Sequence, residues 1–185
     1  ASVIDQATRM QAGFGAIASS RLPMIAAIDG WCIGAGIEMA AACDLRIAST
    51  RARFALREVK VGIVADLGGI QRLPHVVGEG WARQIALTGE DFDAESAQRM
   101  GLVTQLLPDR DTLLEAARSL ASRIAANPPL VVAGIKRTMS ARIEASVQAG
   151  NLVAATQNGM LLQSDDFAEA MRAFMEKREA KFRGR

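Results

Sequence analysis

Residues 26–50 read AAIDGWCIGAGIEMAAACDLRIAST, and this stretch limits the possible folds more than any other part of the chain. Three glycines fall within seven residues (Gly30, Gly34 and Gly36), and one acid, Glu38, stands in a run of small apolar residues. Glycine permits positive φ and close approach of backbone to a ligand, at an entropic cost. A carboxylate is rarely buried without a partner or a task. The segment MIAAI (24–28) is a short buried-strand candidate closed by the turn pair Asp29-Gly30. The small residues from Ile37 to Cys43 suit a tightly packed helix, and LRIAS and RFAL read as two short strands. Ahead of this stretch, Ile4, Ala7, Met10, Phe14 and Ile17 recur at helical spacing and end at SSRLP, so the predicted order is helix, strand, glycine loop, helix, strand, strand.

Beyond it, REVKVGIVADLGG (57–69) lacks steady periodicity, carries Gly62, Gly68 and Gly69 beside Glu58 and Asp66, and reads as a shaped loop. A short helix over GEGWARQIALTGE ends at Gly89, and Asp93 can N-cap another that stops at Gly101. LVTQLLP is a final strand candidate. Thereafter the pattern is helical: Leu113, Ala117, Leu120 and Ile124 share a face, Pro128-Pro129 break that helix and can start another, and Ser164 caps a last one through Phe182. The predicted division is an α/β half, 1–108, followed by a helical part, 109–185.

Composition narrows the function classes. With 185 residues, half of them hydrophobic, the chain can bury about 70% of its unfolded surface in one domain. A net charge of +2, 4% aromatics and no tyrosine offer nucleic acid neither a basic surface nor stacking platforms. No apolar run approaches the roughly 20 residues of a membrane span, and the first ten residues lack the basic and apolar regions of a signal peptide. A soluble, cytoplasmic protein is expected. Cys32 and Cys43 read as small buried thiols. His75 is the one histidine, which supplies neither a metal site nor a Ser-His-Asp triad.

Glu38, Glu58 and Asp66 are set apart by context, standing among glycines and small apolar residues where surface acids have charged neighbours. A structural account is open: Glu38 at a helix N-terminus, Glu58 paired with Arg57 or Lys60, Asp66 capping a turn. A chemical account is open as well. Two carboxylates ~4 Å apart at an effective dielectric of ~20 repel by ~4 kcal/mol, or about three pKa units, so one would hold a proton near neutrality and supply an acid beside a base.

The segments PMIAAIDGWCIGAGIEMAAACDLRIAS, REVKVGIVADLGGIQRLP and AFMEKREAKF resemble the crotonase superfamily, the enoyl-CoA hydratase/isomerase group, and the resemblance runs from about Ile4 to Phe182. It implies an α/β fold, the ββα spiral with a helical C-terminal part. It also implies an acyl-CoA thioester substrate, no cofactor beyond the coenzyme A that the substrate carries, no metal, and a homotrimer or dimer of trimers built through the C-terminal helices. The matching positions make the Ala35 backbone N–H one oxyanion donor, Glu38, Glu58 and Asp66 the acids, and Ile33, Gly34, Gly36 and Gly62 substrate-binding positions. Asp66 stands where hydratases of the family usually have glycine, so the pattern most resembles the dienoyl-CoA isomerase branch. There a proton moves from C2 to C6; Asp66 as base at C2 and Glu58 as acid at C6, with Glu38 orienting, is one assignment, and the first two can be exchanged.

Preorganised N–H groups at a helix N-terminus meet the negative charge of an enolate, one such donor being worth roughly 3–4 kcal/mol. Family members normally carry a further N-terminal region with the second donor and much of the CoA loop, so the domain is expected to be incomplete here. Two alternatives stand beside the isomerase: an enoyl-CoA hydratase that uses Glu38 and Glu58 to add water, and a catalytically weak subunit or assembly partner. LVAATQNGMLLQ suits either a subunit contact or a buried helix, and EKREAKFRGR either CoA phosphates or a solvated helix end.

Overall fold

The helix expected at the start is α1 (Val3–Ser19), and the apolar quartet IAAI forms β1 (Ile25–Ile28). This is a computed structural model that describes residues 3–185; the side chains of Val3 and Ile4 also lie outside the described residues. Ala7 is buried and Phe14 and Ile17 half-buried, while Met10 turns to the surface. Gly30, at φ 80°, turns the chain directly into β2 (Trp31–Ile33), residues expected to be loop; three residues are too few for a strand period to show. Then come α2 (Ala35–Ala42), β3 (Leu45–Ser49) and β4 (Arg53–Ala55), as the small-residue run and the LRIAS and RFAL segments suggest.

The stretch expected to be a shaped loop contains a single 3₁₀ turn, Glu58–Val61, before α3 (Gly69–Val77). Next are α4 (Glu79–Thr88), closed by left-handed Gly89, β5 (Phe92–Asp93) and α5 (Ala94–Arg99), whose N-cap Asp93 accepts from Ser96 N at 2.8 Å. Of LVTQLLP only two residues are strand, β6 (Leu106–Leu107). Three helices complete the chain: α6 (Arg110–Ala125), α7 (Pro129–Leu161), which Pro129 opens, and α8 (Asp165–Glu176), capped by Ser164 Oγ, which accepts from Phe167 N at 3.1 Å.

The chain alternates between two three-stranded sheets. β1, β3 and β6 form one, all parallel, with Ile25 opposite Leu45; β2, β4 and β5 form the other, with Trp31 opposite Arg53 and β5 antiparallel to β4. Successive ββα turns thus coil into a spiral. Phe54 stacks on Phe92 at 5.5 Å, and Ile37, Leu56, Leu73 and Leu102 close the core around it. Buried Arg46 donates to the carbonyls of Ala40 and Cys43 at the C-terminal end of α2 and to that of Leu102, which binds α2 to the segment after α5. Asp44 accepts from Met24 N and from Lys136 Nζ, both at 2.7 Å, which ties α7 to the spiral.

α8 stops six residues short of the expected Phe182. Lys177 adopts φ 53°, and the tail folds back: Arg178 pairs with Glu169 and Glu176, while the N–H groups of Arg183 and Gly184 donate to Asp166. Carboxylates on α8 itself thus compete for the backbone that would extend it, and the Arg178 guanidinium is spent on two of them. Cys32 and Cys43 are unpaired thiols. Among the described residues no helix is long and apolar enough to cross a membrane.

Candidate active site

Glu38 lies in the first turn of α2 and is 1% exposed. Its Oε2 accepts from the backbone N–H of Leu67 at 3.0 Å and of Gly69 at 2.8 Å. Gly69 is the first residue of α3, so Glu38 does face a helix N-terminus, but that of another helix. A Cβ on Gly69 would stand 2.5 Å from Glu38 Cγ; glycine is what lets the two elements approach. Burial pushes the Glu38 carboxyl up to about 7; the two N–H donors pull against it, and the charges of Glu58 and Asp66 add to it. The repulsion argument anticipated the direction of this shift, but burial is the larger cause.

Glu58 opens the 3₁₀ turn and, among the described residues, forms no ion pair. Arg57 instead forks onto Asp91, at 2.9 Å from Nε and 2.7 Å from Nη2, and lies over the Trp31 ring. Glu58 Oε2 is buried and has no hydrogen-bond partner among the described residues, and burial raises the Glu58 pKa, with Asp66 adding to the rise. Its Oε1 lies 2.7 Å from where a Cβ on Gly34 would stand. Gly34 is doubly constrained, because its φ of 55° already disfavours any side chain. Its N–H donates to Ala55 O at the end of β4, which sets the start of α2 beside the 3₁₀ turn.

Asp66 is half-buried, and its Oδ2 accepts from Asn158 Nδ2 at 3.1 Å. The three acids, 20 and then 8 residues apart in sequence, share one electrostatic neighbourhood: Glu58 and Asp66 both act on Glu38, and Asp66 acts on Glu58.

The Ala35 N–H belongs to the first residue of α2, where a helix offers it no acceptor of its own, and Ala35 is exposed. Ile33 pairs with Ala55 at the strand ends just before it. A Cβ on Gly36 would meet Cys32 Sγ at 3.8 Å, an ordinary contact, so close helix–strand packing does not require glycine there. Gly62 ends the 3₁₀ turn at φ 77° against the backbone of Phe167, and with Val59, Ile63, Leu161 and Phe182 it lines a cavity of about 420 Å³. Among the described residues no three His, Cys, Asp or Glu side chains are placed to hold a metal ion.

A buried acid and a half-buried one on two successive turns of a ββα spiral, beside a glycine-set helix start, match a known pattern. The enoyl-CoA hydratase/isomerase family profile covers residues 5–185. The chain belongs to that family. A mitochondrial Delta(3,5)-Delta(2,4)-dienoyl-CoA isomerase of Dictyostelium discoideum is 45% identical over 175 residues, covering 95% of this chain and 60% of that protein. An (E)-benzylidenesuccinyl-CoA hydratase of Thauera aromatica is 42% identical over 162 residues, covering 88% of this chain and 63% of that one. The crystal structure of an enoyl-CoA hydratase from Mycobacterium avium superimposes with a TM-score of 0.87 at 32% identity, over 96% of this chain and 69% of that one. The fold is therefore the crotonase-like spiral. The chain spans about 60% of the length of the curated relatives named here.

Sequence reasoning missed Asn158 and Gln11, which hold the segment carrying Asp66. Asn158 lies in LVAATQNGMLLQ, read above as a subunit contact or a buried helix. A signal was present: Asn151 and Asn158 are two amides seven residues apart on one helix face.

Proposed function

We propose that this crotonase-family chain acts, as part of its intact protein, in isomerising a dienoyl-CoA thioester by moving a proton from C2 to C6. The observation that carries the reading is Asp66, brought beside Glu58 and Glu38 in one partly buried cluster. The likeness to a relative named as a dienoyl-CoA isomerase supports it. In this reaction Asp66 takes the C2 proton, negative charge spreads from C6 through the conjugated trienolate onto the thioester oxygen, and the Ala35 N–H meets that charge. Glu58, pushed toward its neutral form by burial, delivers a proton to C6, and the double bonds move from 3,5 to 2,4. Glu38 orients the thioester side of the substrate. Ile33, Gly34, Gly36 and Gly62 line the acyl path, coenzyme A arrives with the substrate, and no separate cofactor takes part.

The second reading is hydration of a 2-enoyl-CoA, favoured by glutamate at both 38 and 58 and by the likeness to a relative named as a hydratase. Incubating the intact protein with a 3,5-dienoyl-CoA and with a 2-enoyl-CoA, followed by mass and ultraviolet absorbance, separates the two. Conversion of the dienoyl substrate at constant mass is expected; addition of about 18 mass units, one water, to the enoyl substrate would replace this reading with the second.

Residues 1–108 are assigned to the spiral α/β core that carries the three acids and 109–185 to a helical region that assembles as a homotrimer or dimer of trimers. Leu130, Phe174 and Met175 are 88%, 75% and 79% exposed, and Met139, Leu152 and Met160 are also exposed, apolar side chains that a subunit contact would cover. Light scattering of the intact protein is expected to give three or six times the subunit mass. A cytoplasmic location rests on the sequence, whereas the Dictyostelium relative is named as mitochondrial; cell fractionation decides between the two compartments.

A further inference from the structure

We infer that Asn158 is the positioning residue of the Asp66 carboxylate; the inference rests on the isomerase reading above. Asn158 is 4% exposed, on the inner face of α7, 92 residues from Asp66 in sequence. Its amide is fixed from both ends by a single residue: Oδ1 accepts from Val64 N at 2.8 Å, and Nδ2 donates to Val64 O at 2.8 Å. That pairing settles which end of the amide is oxygen and which is nitrogen. The second N–H of the amide then reaches Asp66 Oδ2 at 3.1 Å. A primary amide has two N–H donors and one carbonyl, and here each is used on a group within three residues of chain. The carboxylate oxygen nearest α7 is thereby committed, which directs the other, Oδ1, toward the substrate proton.

Gln11 holds the same segment differently. Its Nε2 donates to the backbone carbonyl of Asp66 at 2.8 Å and touches no atom of the carboxylate in the described contacts. Asn158 both anchors the loop, through Val64, and reaches the carboxylate, whereas Gln11 only anchors; Gln11→Ala is therefore the control for anchoring, and it makes the inference testable. Asn158→Ala removes the donor to Asp66 together with both bonds to Val64. Asn158→Asp keeps the shape and an acceptor for Val64 N but sets a carboxylate where the donor stood. Gln11→Ala removes bonds to backbone alone, that to Asp66 O and a longer one, 3.4 Å, to Asn151 O on α7.

The experiment measures kcat and KM for 3,5-dienoyl-CoA isomerisation by these three variants and by Asp66→Asn, all in the intact protein. A reacting group displaced by about 1 Å can cost on the order of 100-fold in rate, so Asn158→Ala is expected to lose about 10–100-fold in kcat with KM changed less than about threefold. Asn158→Asp is expected to lose more than Asn158→Ala despite its closer shape, and Gln11→Ala less than about threefold in kcat. Should Asn158→Ala fail to fold, the isosteric Asn158→Asp against Gln11→Ala carries the same contrast. Equal losses in Gln11→Ala and the Asn158 variants, or Asn158 variants with wild-type kcat while Asp66→Asn is inactive, overturn the positioning role and leave the isomerase reading standing. Isomerisation that persists in Asp66→Asn overturns both.

Discussion

Asp66→Asn and Glu58→Gln, each in the intact protein, are expected to lower kcat for dienoyl isomerisation by about 10²–10⁴-fold, the usual worth of one general acid or base. Both substitutions keep the size of the side chain. In Asp66→Asn the new side-chain carbonyl oxygen can still accept from Asn158 Nδ2, so the loss is one of proton transfer and not of packing, and KM is expected to move by less than about threefold. Glu58 has a buried oxygen with no protein partner, so an amide there breaks no existing bond to that atom. The double variant is expected to be scarcely worse than either single one, because the two groups serve the same proton movement. Steady-state rates from the diene absorbance, at saturating substrate, measure all three. Water addition that survives Asp66→Asn would instead assign the chemistry to Glu38 and Glu58.

Glu38 carries a stability prediction of definite sign. Its carboxyl has an ordinary value of 4.5 and is pushed up to about 7 in the fold, chiefly by burial. Between those values the unfolded chain loses this proton while the folded chain keeps it, so the folded state binds more protons and its stability falls as pH rises. The contribution is fully present below about 4.5 and is lost through about 7; an interval of this width is worth about 3 kcal/mol. Glu38→Gln is neutral at every pH, and its Oε1 can accept from Leu67 N and Gly69 N as the carboxylate does.

The variant is therefore expected to match the wild type in urea unfolding at about pH 4–5 and to exceed it by up to about 3 kcal/mol at about pH 8. Equal stability of the two proteins at both pH values would show that Glu38 ionises in the fold as it does in water. Gain of stability at a buried acid usually accompanies loss of function, and the same variant is expected to be a poorer isomerase.

Much of the local structure was legible in the sequence because its causes lie within a few residues of its effects. Asp93 and Ser164 accept from N–H groups three positions ahead, Gly89 closes a helix in the left-handed conformation, and Pro129 opens one. β2 and β5 were not legible, since two or three residues in a strand are held by their neighbours across the sheet and show no period of their own. The end of α8 was misread for a related reason: its helical pattern continues past Lys177, but Glu169 and Asp166 draw the tail back.

The sequence by itself determined which residues could carry chemistry: three acids placed among glycines and small apolar side chains, and a strand-glycine-helix junction whose first N–H groups point outward. Tertiary structure alone decided what those acids became. It set Glu38 against the N-terminus of α3 instead of its own helix, left Glu58 without the Arg57 that stands next to it, and brought Asn158 across from α7 to Asp66. The physical reason is that hydrogen-bond partners and desolvation are set by distance in space. Packing the spiral removes Glu38 from water and raises its pKa, and no arrangement of neighbours along the chain could have done so.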